Sequence, residues 1–182
     1  MAVPLKQKSG GSNNQIPQQI KCYQINVPHW TAATANLIQL IPTDKIGMAL
    51  IQESYQHQGE LTGITKGYRT FAYGEGKRRT AIIIIIIIQD NTIDALLITQ
   101  LSDNDAVLLE ISNEKLSFYA ARVYFDYNEP IDNNNKTVER ILKFTKGKKL
   151  LLAIDSISRS TKWHDIKTNP SGEGIVIVPN LQ

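Results

Sequence analysis

The chain has 182 residues, 42% of them hydrophobic, a size and core content that suit one domain once a polar leader is set aside. Its 20 Lys and Arg against 17 Asp and Glu leave a net charge of +3, too mild to mark a nucleic-acid binder without a local basic patch. The single Cys22 excludes an internal disulfide and a multi-cysteine zinc site, which fits a reducing compartment, and no apolar run approaches the ~20 residues that span a bilayer. A soluble, intracellular protein, nuclear or cytoplasmic, is expected.

Met1 to Gln19 is dominated by Lys, Gln, Ser, Gly, Asn and Pro and reads as a flexible leader, which leaves 20–182 for the domain. Lys21 to Val27 reads as a first strand that ends in Asn26, with Cys22 as a small core residue at its start. Thr31 can cap a helix whose apolar stripe is Ala32, Ala35, Leu37, Ile38 and Ile41, with Pro42 stopping it. Met48 to Ile51 is a short unbroken apolar run, hence a buried strand, and it delivers Gln52 and Glu53 at its exit. Leu61 to Arg79 carries Gly63, Gly67, Gly74 and Gly76 and reads as hairpin and loop. Ile82 to Ile88 is all isoleucine, so it must be a strand covered on both faces.

Three more strands are expected at Ala95–Leu101, Ala106–Ile111 and Leu116–Phe125, the last two joined by a turn at Ser112, Asn113 and Glu114. A polar loop from Asn128 to Lys136 then precedes a helix from Thr137 to Thr145, closed by Gly147, with Lys143, Lys146, Lys148 and Lys149 as its solvated end. Leu150 to Ile154 is another buried strand with Asp155 at its exit, and Ile175 to Val178 a last short one. The order of elements suggests two packed sheets with helices outside, an α+β architecture.

Asn26, Glu53 and Asp155 thus each stand at the exit of an apolar strand, where rigid sheets hold catalytic groups and loops leave them open. Two carboxylates and an amide offer hard oxygen ligands of the kind Mg²⁺ takes. An isolated strand-end carboxylate more commonly caps a turn or meets solvent, so the neighbouring residues must decide.

Tyr23-Gln24-Ile25-Asn26 followed by an Ala-rich helix, then Ala49-Leu50-Ile51-Gln52-Glu53, resembles the opening motifs of the endonuclease domain of non-LTR retrotransposons, a branch of the exonuclease-endonuclease-phosphatase superfamily. Leu101 to Asp105 with Val107 to Ile111, and Val123-Tyr124-Phe125-Asp126-Tyr127 with Pro130 and Ile131, resemble that family's central stretch and its tyrosine motif. Leu152 to Ser158, then Trp163 and His164, then Asn169, Gly172 and Glu173, resemble its Gly-Asp-Phe-Asn-Ala segment with the downstream Trp and Arg-Gly-Glu. The resemblance runs over about residues 20 to 178. It implies a four-layer αββα sandwich of two mixed sheets with outer helices, incomplete at the C-terminus.

It also implies an Mg²⁺- or Mn²⁺-dependent endonuclease nicking DNA for retrotransposition, fused to a reverse transcriptase in the full-length element, with no obligate protein partner evident. By the same resemblance Glu53 holds the metal, Asn26 orients phosphate or nucleophile, Tyr124 hydrogen-bonds the scissile phosphate, and Asp155 positions the attacking water. Lys66, Arg69, Lys77, Arg78 and Arg79, interleaved with Tyr68 and Tyr73, form the basic stretch expected to track DNA.

Several positions depart from the family pattern. Ser54 and Tyr55 stand where Pro and an aromatic are usual, Ile154 where Gly is usual, and Ser171 where Arg is usual. Ile157 replaces an Asn, and a lost polar partner of that kind is worth ~2 to 4 kcal/mol, roughly 10² to 10³ in rate. The family's terminal Ser-Asp-His segment has no counterpart, since none of His29, His57 and His164 matches it. The expected state of this chain is therefore a degenerate enzyme, weak or inactive, with a non-catalytic DNA-binding remnant as the alternative.

Overall fold

The computed structural model describes residues 21–27, 31–44, 46–54, 56–57, 60–64, 68–75, 79–85, 94–112, 116–126 and 128–156. The expected leader, Lys66, Lys77, Arg78, Ile86 to Ile88, the Asn113–Glu114 turn, Ile157, the segment from Trp163 to Glu173 and the strand at Ile175–Val178 lie outside the described residues.

Strand β1 (Cys22–Asn26) leads into helix α1 (Thr31–Thr43) and back to β2 (Met48–Gln52). A short hairpin, β3 (Gln56–His57) and β4 (Glu60–Leu61), precedes β5 (Tyr68–Phe71) and β6 (Thr80–Ile85). Then come β7 (Asp94–Leu97), β8 (Ala106–Ser112), β9 (Ser117–Tyr124), α2 (Ile131–Phe144) and β10 (Leu150–Asp155). The first sheet runs β1-β2-β6-β5 and the second β10-β9-β8-β7. Each is mixed, because β1 pairs in parallel with β2 and β10 in parallel with β9, while the other neighbours are antiparallel.

Alternation along the strands builds three apolar layers. Met48 and Leu50 of the first sheet meet Val107, Leu109, Ile111, Ala120 and Ala153 of the second, so these residues fill the space between the sheets. The opposite faces are closed by helices. Ala49 and Ile51 pack with Leu37 and Ile41 of α1, and Ala106, Leu108, Ala121 and Val123 pack with Ile141, Val138 and Ile131 of α2. The result is the four-layer αββα sandwich that the resemblance implied, and it explains why β2 is buried at every position while β7 alternates.

Local chemistry accounts for the differences from the sequence reading. Helix α2 starts at Ile131, six positions before the expected Thr137, because Ile131 lies on the same stripe as Val138 and Ile141 and anchors a first turn that is otherwise polar. Pro130 stands just before it at φ −54°, pre-set for helix entry, and Asn134 donates to the Asp126 carbonyl at 3.2 Å. Strand β7 ends at Leu97, since Thr99–Leu101 turns as 3₁₀. Pro42 is carried within the last turn of α1 rather than terminating it. Cys22 is exposed at the start of β1, not a core residue, because Tyr23 and Ile25 are the β1 side chains that pack toward α1.

Candidate active site

In a parallel strand pair both exits lie at the same edge of the sheet, and here two such pairs, each linked by a helix, face one another. The register sets Asn26 of β1 beside Gln52 of β2, and Asp155 of β10 beside Tyr124 of β9. The two edges meet across the sandwich: Asn26 Nδ2 donates to Asp155 Oδ2 at 3.3 Å, and Gln24 Nε2 approaches the Ile154 carbonyl at 3.5 Å. Val27 N–H donates to the Gln52 carbonyl at 3.0 Å and Phe125 N–H to the Asp155 carbonyl at 2.9 Å, so the ladders continue to the rim itself.

Glu53 follows directly on β2 and has φ +47°, the one non-glycine residue with positive φ among those described. Its N–H donates to the Arg79 carbonyl at 2.9 Å, which holds the turn that swings the carboxylate out of the ladder. A left-handed L residue costs about 1 kcal/mol or more, a strain glycine does not carry. Glu53→Gly is therefore expected to raise chain stability by up to about 1 kcal/mol in a denaturant titration. A loss of more than about 1 kcal/mol would mean that the Glu53 side chain serves the fold.

Tyr124 ends β9, paired in register with Asp155 at the end of β10. Burial pushes its pKa up, and Glu53, Asp126 and Asp155 push it the same way, with Arg79 opposing. Asn26 and Asp155 touch, Tyr124 closes β9 beside Asp155, and Glu53 follows the residue paired with Asn26, so all four stand at the same edge of the sandwich. A phenol kept in its neutral form can donate a hydrogen bond to an anionic oxygen.

Two arginines of this region have features that composition did not reveal. Arg79 donates from Nε and Nη2 to the two oxygens of Asp105 and from Nη1 to Asp126, and its guanidinium lies 5.0 Å from the centroid of the Tyr124 ring. Burial would lower its pKa, but the hydrogen bonds to Asp105 and Asp126 outweigh that and hold it above the ordinary value. Asp126 is held below the usual carboxylate range, by the Asn128 N–H first and by Arg79 second. Arg122, in the middle of β9 on the face between the sheets, is completely buried, and its three nitrogens have no hydrogen-bond partner among the described residues. Gln52 and Thr80, paired on the facing sheet, are buried as well, so a polar layer lies just beneath the rim.

Of the basic residues expected to track DNA, Arg69 and Arg79 are described. Arg69 is half-buried on β5, with its guanidinium 6.0 Å from the Phe71 ring centroid. No group of three or more His, Cys, Asp or Glu side chains poised for a metal occurs among the described residues. The donors at the rim are the Glu53 and Asp155 carboxylates and the Asn26 amide oxygen, the Asn26 nitrogen being the atom turned to Asp155. That all-oxygen set with two carboxylates fits Mg²⁺, which takes one or two protein carboxylates and completes its shell with water and substrate phosphate.

No family model and no curated protein matches the chain by sequence. Solved structures do match it. The chain has the endonuclease/exonuclease/phosphatase fold, shared with a protein of that family from Bacteroides thetaiotaomicron at TM-score 0.54 and 11% identity over 85% of this chain and 66% of that one. Among these structures, the endonuclease domain of TRAS1, a telomere-specific non-LTR retrotransposon, is similar at TM-score 0.73 and 24% identity, over 85% of this chain and 67% of that one. D. rerio TDP2 complexed with a single-strand DNA product is similar at TM-score 0.51 and 12% identity, over 79% and 62%. The chain thus spans about two thirds of the length of the structures it matches. No helix among the described residues is long and apolar enough to cross a membrane.

Proposed function

We propose that this chain is an endonuclease-type domain, dependent on Mg²⁺ or Mn²⁺, that nicks target DNA to expose a 3′ hydroxyl for reverse transcription, in a degenerate form with low or no activity. The observation that supports this reading is the meeting of two strand-exit edges, Asn26 Nδ2 on Asp155 Oδ2 at 3.3 Å, with Tyr124 beside Asp155 in register and Glu53 following Gln52 at the exit of β2. The TRAS1 endonuclease domain and the TDP2 complex with a DNA product share the fold, which makes DNA the substrate class to test first. A role on DNA places the protein inside the cell, and the reading includes a reverse transcriptase as the companion activity.

In-line hydrolysis of a phosphodiester needs positive charge on the non-bridging oxygens and a nucleophile relieved of its proton. A bound divalent cation supplies the first and acidifies water. Glu53, turned out of the ladder by its left-handed backbone, would hold that cation. Asp155, fixed by the Asn26 amide at 3.3 Å, would orient and deprotonate the attacking water. Tyr124 would donate its hydroxyl, neutral at pH 7 like any phenol and pushed further from ionisation by burial, to the scissile phosphate. Lys66, Lys77 and Arg78, with Arg69, would track the DNA backbone.

The degenerate state is supported by Ile157, which can neither donate nor accept a hydrogen bond where the resembled family keeps Asn. The same position favours the second reading, a DNA-binding remnant without catalysis. A supercoiled-plasmid nicking assay with Mg²⁺, run beside a gel shift, separates the two. Nicking that disappears in Glu53→Ala supports the enzyme, DNA binding without nicking supports the remnant, and neither binding nor nicking overturns both.

A further inference from the structure

We propose that Arg79 is a positioning residue of this site, a rivet that fixes the Tyr124 ring and the Glu53 backbone from below rather than a contact to DNA. The inference rests on the rim being a catalytic site, as proposed above. Arg79 ties the two halves of the rim at a second place, apart from the Asn26–Asp155 contact. Its carbonyl accepts from Glu53 N–H at 2.9 Å, and its own N–H donates to the Asn104 carbonyl at 2.7 Å, linking the exit of β2 to the turn before β8. Its side chain clasps Asp105 of that turn with two nitrogens and Asp126, just past β9, with the third. The guanidinium carbon lies over the Tyr124 ring, 5.0 Å from its centroid, and Tyr124 N–H donates to the Asp105 carbonyl at 2.7 Å, closing the circuit.

The carboxylates that receive Arg79 are themselves held. Asp126 Oδ1 accepts from the N–H and the Nδ2 of Asn128 at 2.9 and 3.1 Å. The turn carrying Asp105 is pinned by Asp103 Oδ1, which accepts the N–H groups of Asp105 and Ala106, each at 2.8 Å. A planar guanidinium can meet one carboxylate with two parallel bonds, reach a second and still stack on an aromatic face. A lysine ammonium, a point charge, cannot do all three. One cation between two carboxylates leaves the cluster with a net negative charge, the wrong sign for anchoring a phosphate.

The test uses Arg79→Lys and Arg79→Gln in the full chain, with Asp126→Asn as a milder variant, each first checked for a folded circular dichroism spectrum. DNA affinity, followed by fluorescence anisotropy over a salt series, is expected to stay within about twofold with an unchanged salt slope. Nicking at saturating DNA is expected to fall about 10- to 100-fold in kcat with KM preserved, Lys failing to rescue, and Tyr124→Phe adding little on the Arg79→Lys background. A drop in affinity with a salt slope reduced by about one would make Arg79 a phosphate contact and overturn the proposal, as would full activity in Arg79→Lys.

If the parent chain nicks nothing, which leaves the inactive form or the DNA-binding remnant, Arg79 can still be judged by nuclear magnetic resonance. Its Nε–H signal is expected to exchange slowly and to move when Tyr124→Leu removes the ring current. A fast-exchanging signal, or one indifferent to Tyr124→Leu, would overturn the rivet independently of activity.

Discussion

Arg122→Met is expected to stabilise the chain by about 3 kcal/mol at pH 7. Arg122 is completely buried between Val107 of β8 and Ala153 of β10, with no hydrogen-bond partner for Nε, Nη1 or Nη2 among the described residues. Burial pushes its pKa well below the ordinary guanidinium value, to about 10, and the attraction of Asp155 recovers only part of that. The difference corresponds to about 3 kcal/mol against the folded state at neutral pH. Replacing buried ion pairs by well-packed apolar side chains of similar volume is neutral or stabilises by about 1 to 4 kcal/mol, and a guanidinium with less compensation stands at the upper end of that range.

The sign follows from linkage. The folded pKa lies below the unfolded one, so the penalty is fully present below about 10 and fades as pH rises from there toward the ordinary guanidinium value. The advantage of Met should therefore be flat across the neutral range and shrink only in alkali. Equilibrium denaturation at pH 7 measures it, and equal or lower stability in Arg122→Met would show that the guanidinium has a partner in solution.

Glu53→Gln, which keeps shape and removes charge, is expected to lower cation-dependent nicking by about 10³-fold or to the detection limit. Binding of a divalent cation on phosphate oxygens is worth several kcal/mol of transition-state stabilisation, and each 1.36 kcal/mol is about tenfold. With two carboxylates at the rim, losing one charge leaves a neutral amide where the cation needs an anion. Gel-shift affinity should be little changed, because Glu53 repels phosphate rather than anchoring it. Nicking that survives in Glu53→Gln at parent rates would remove Glu53 from the reaction. Paired with Glu53→Gly, the variant separates roles: the glycine chain should gain stability while losing the same activity, the signature of a strained position kept for chemistry.

Much of the scaffold was legible because burial writes itself into strands. The unbroken run Met48–Ile51 announced a strand covered on both faces, and each of β1, β2 and β10 ended at the polar residue that the apolar run delivered. Periodicity could not tell that β1 and β10 would lie as facing edges, since the contact of Asn26 with Asp155 joins residues 129 apart in sequence. The start of α2 was hidden because Asp132 to Lys136 carry no apolar period, and the lone Ile131 earlier in the chain reads as loop.

The arginines show the same limit from the other side. Arg79 follows Lys77 and Arg78, so locally it is one more basic residue, yet the groups that engage it, Asp105 and Asp126, are 26 and 47 positions away. Arg122 sits between Ala121 and Val123 in an otherwise apolar strand, and only the pleat decides whether such a side chain meets water or the core. Glu53 was singled out by its place at a strand exit, but its left-handed backbone has no signature in a residue that is not glycine or asparagine.

Manganese binding to the full chain, followed by electron paramagnetic resonance with and without a short DNA duplex, tests whether the rim groups share one cation. One Mn²⁺ per chain is expected, weakened at least tenfold by Glu53→Gln and by Asp155→Asn taken singly. Mn²⁺ held as tightly by both variants as by the parent would contradict a shared cation at this rim.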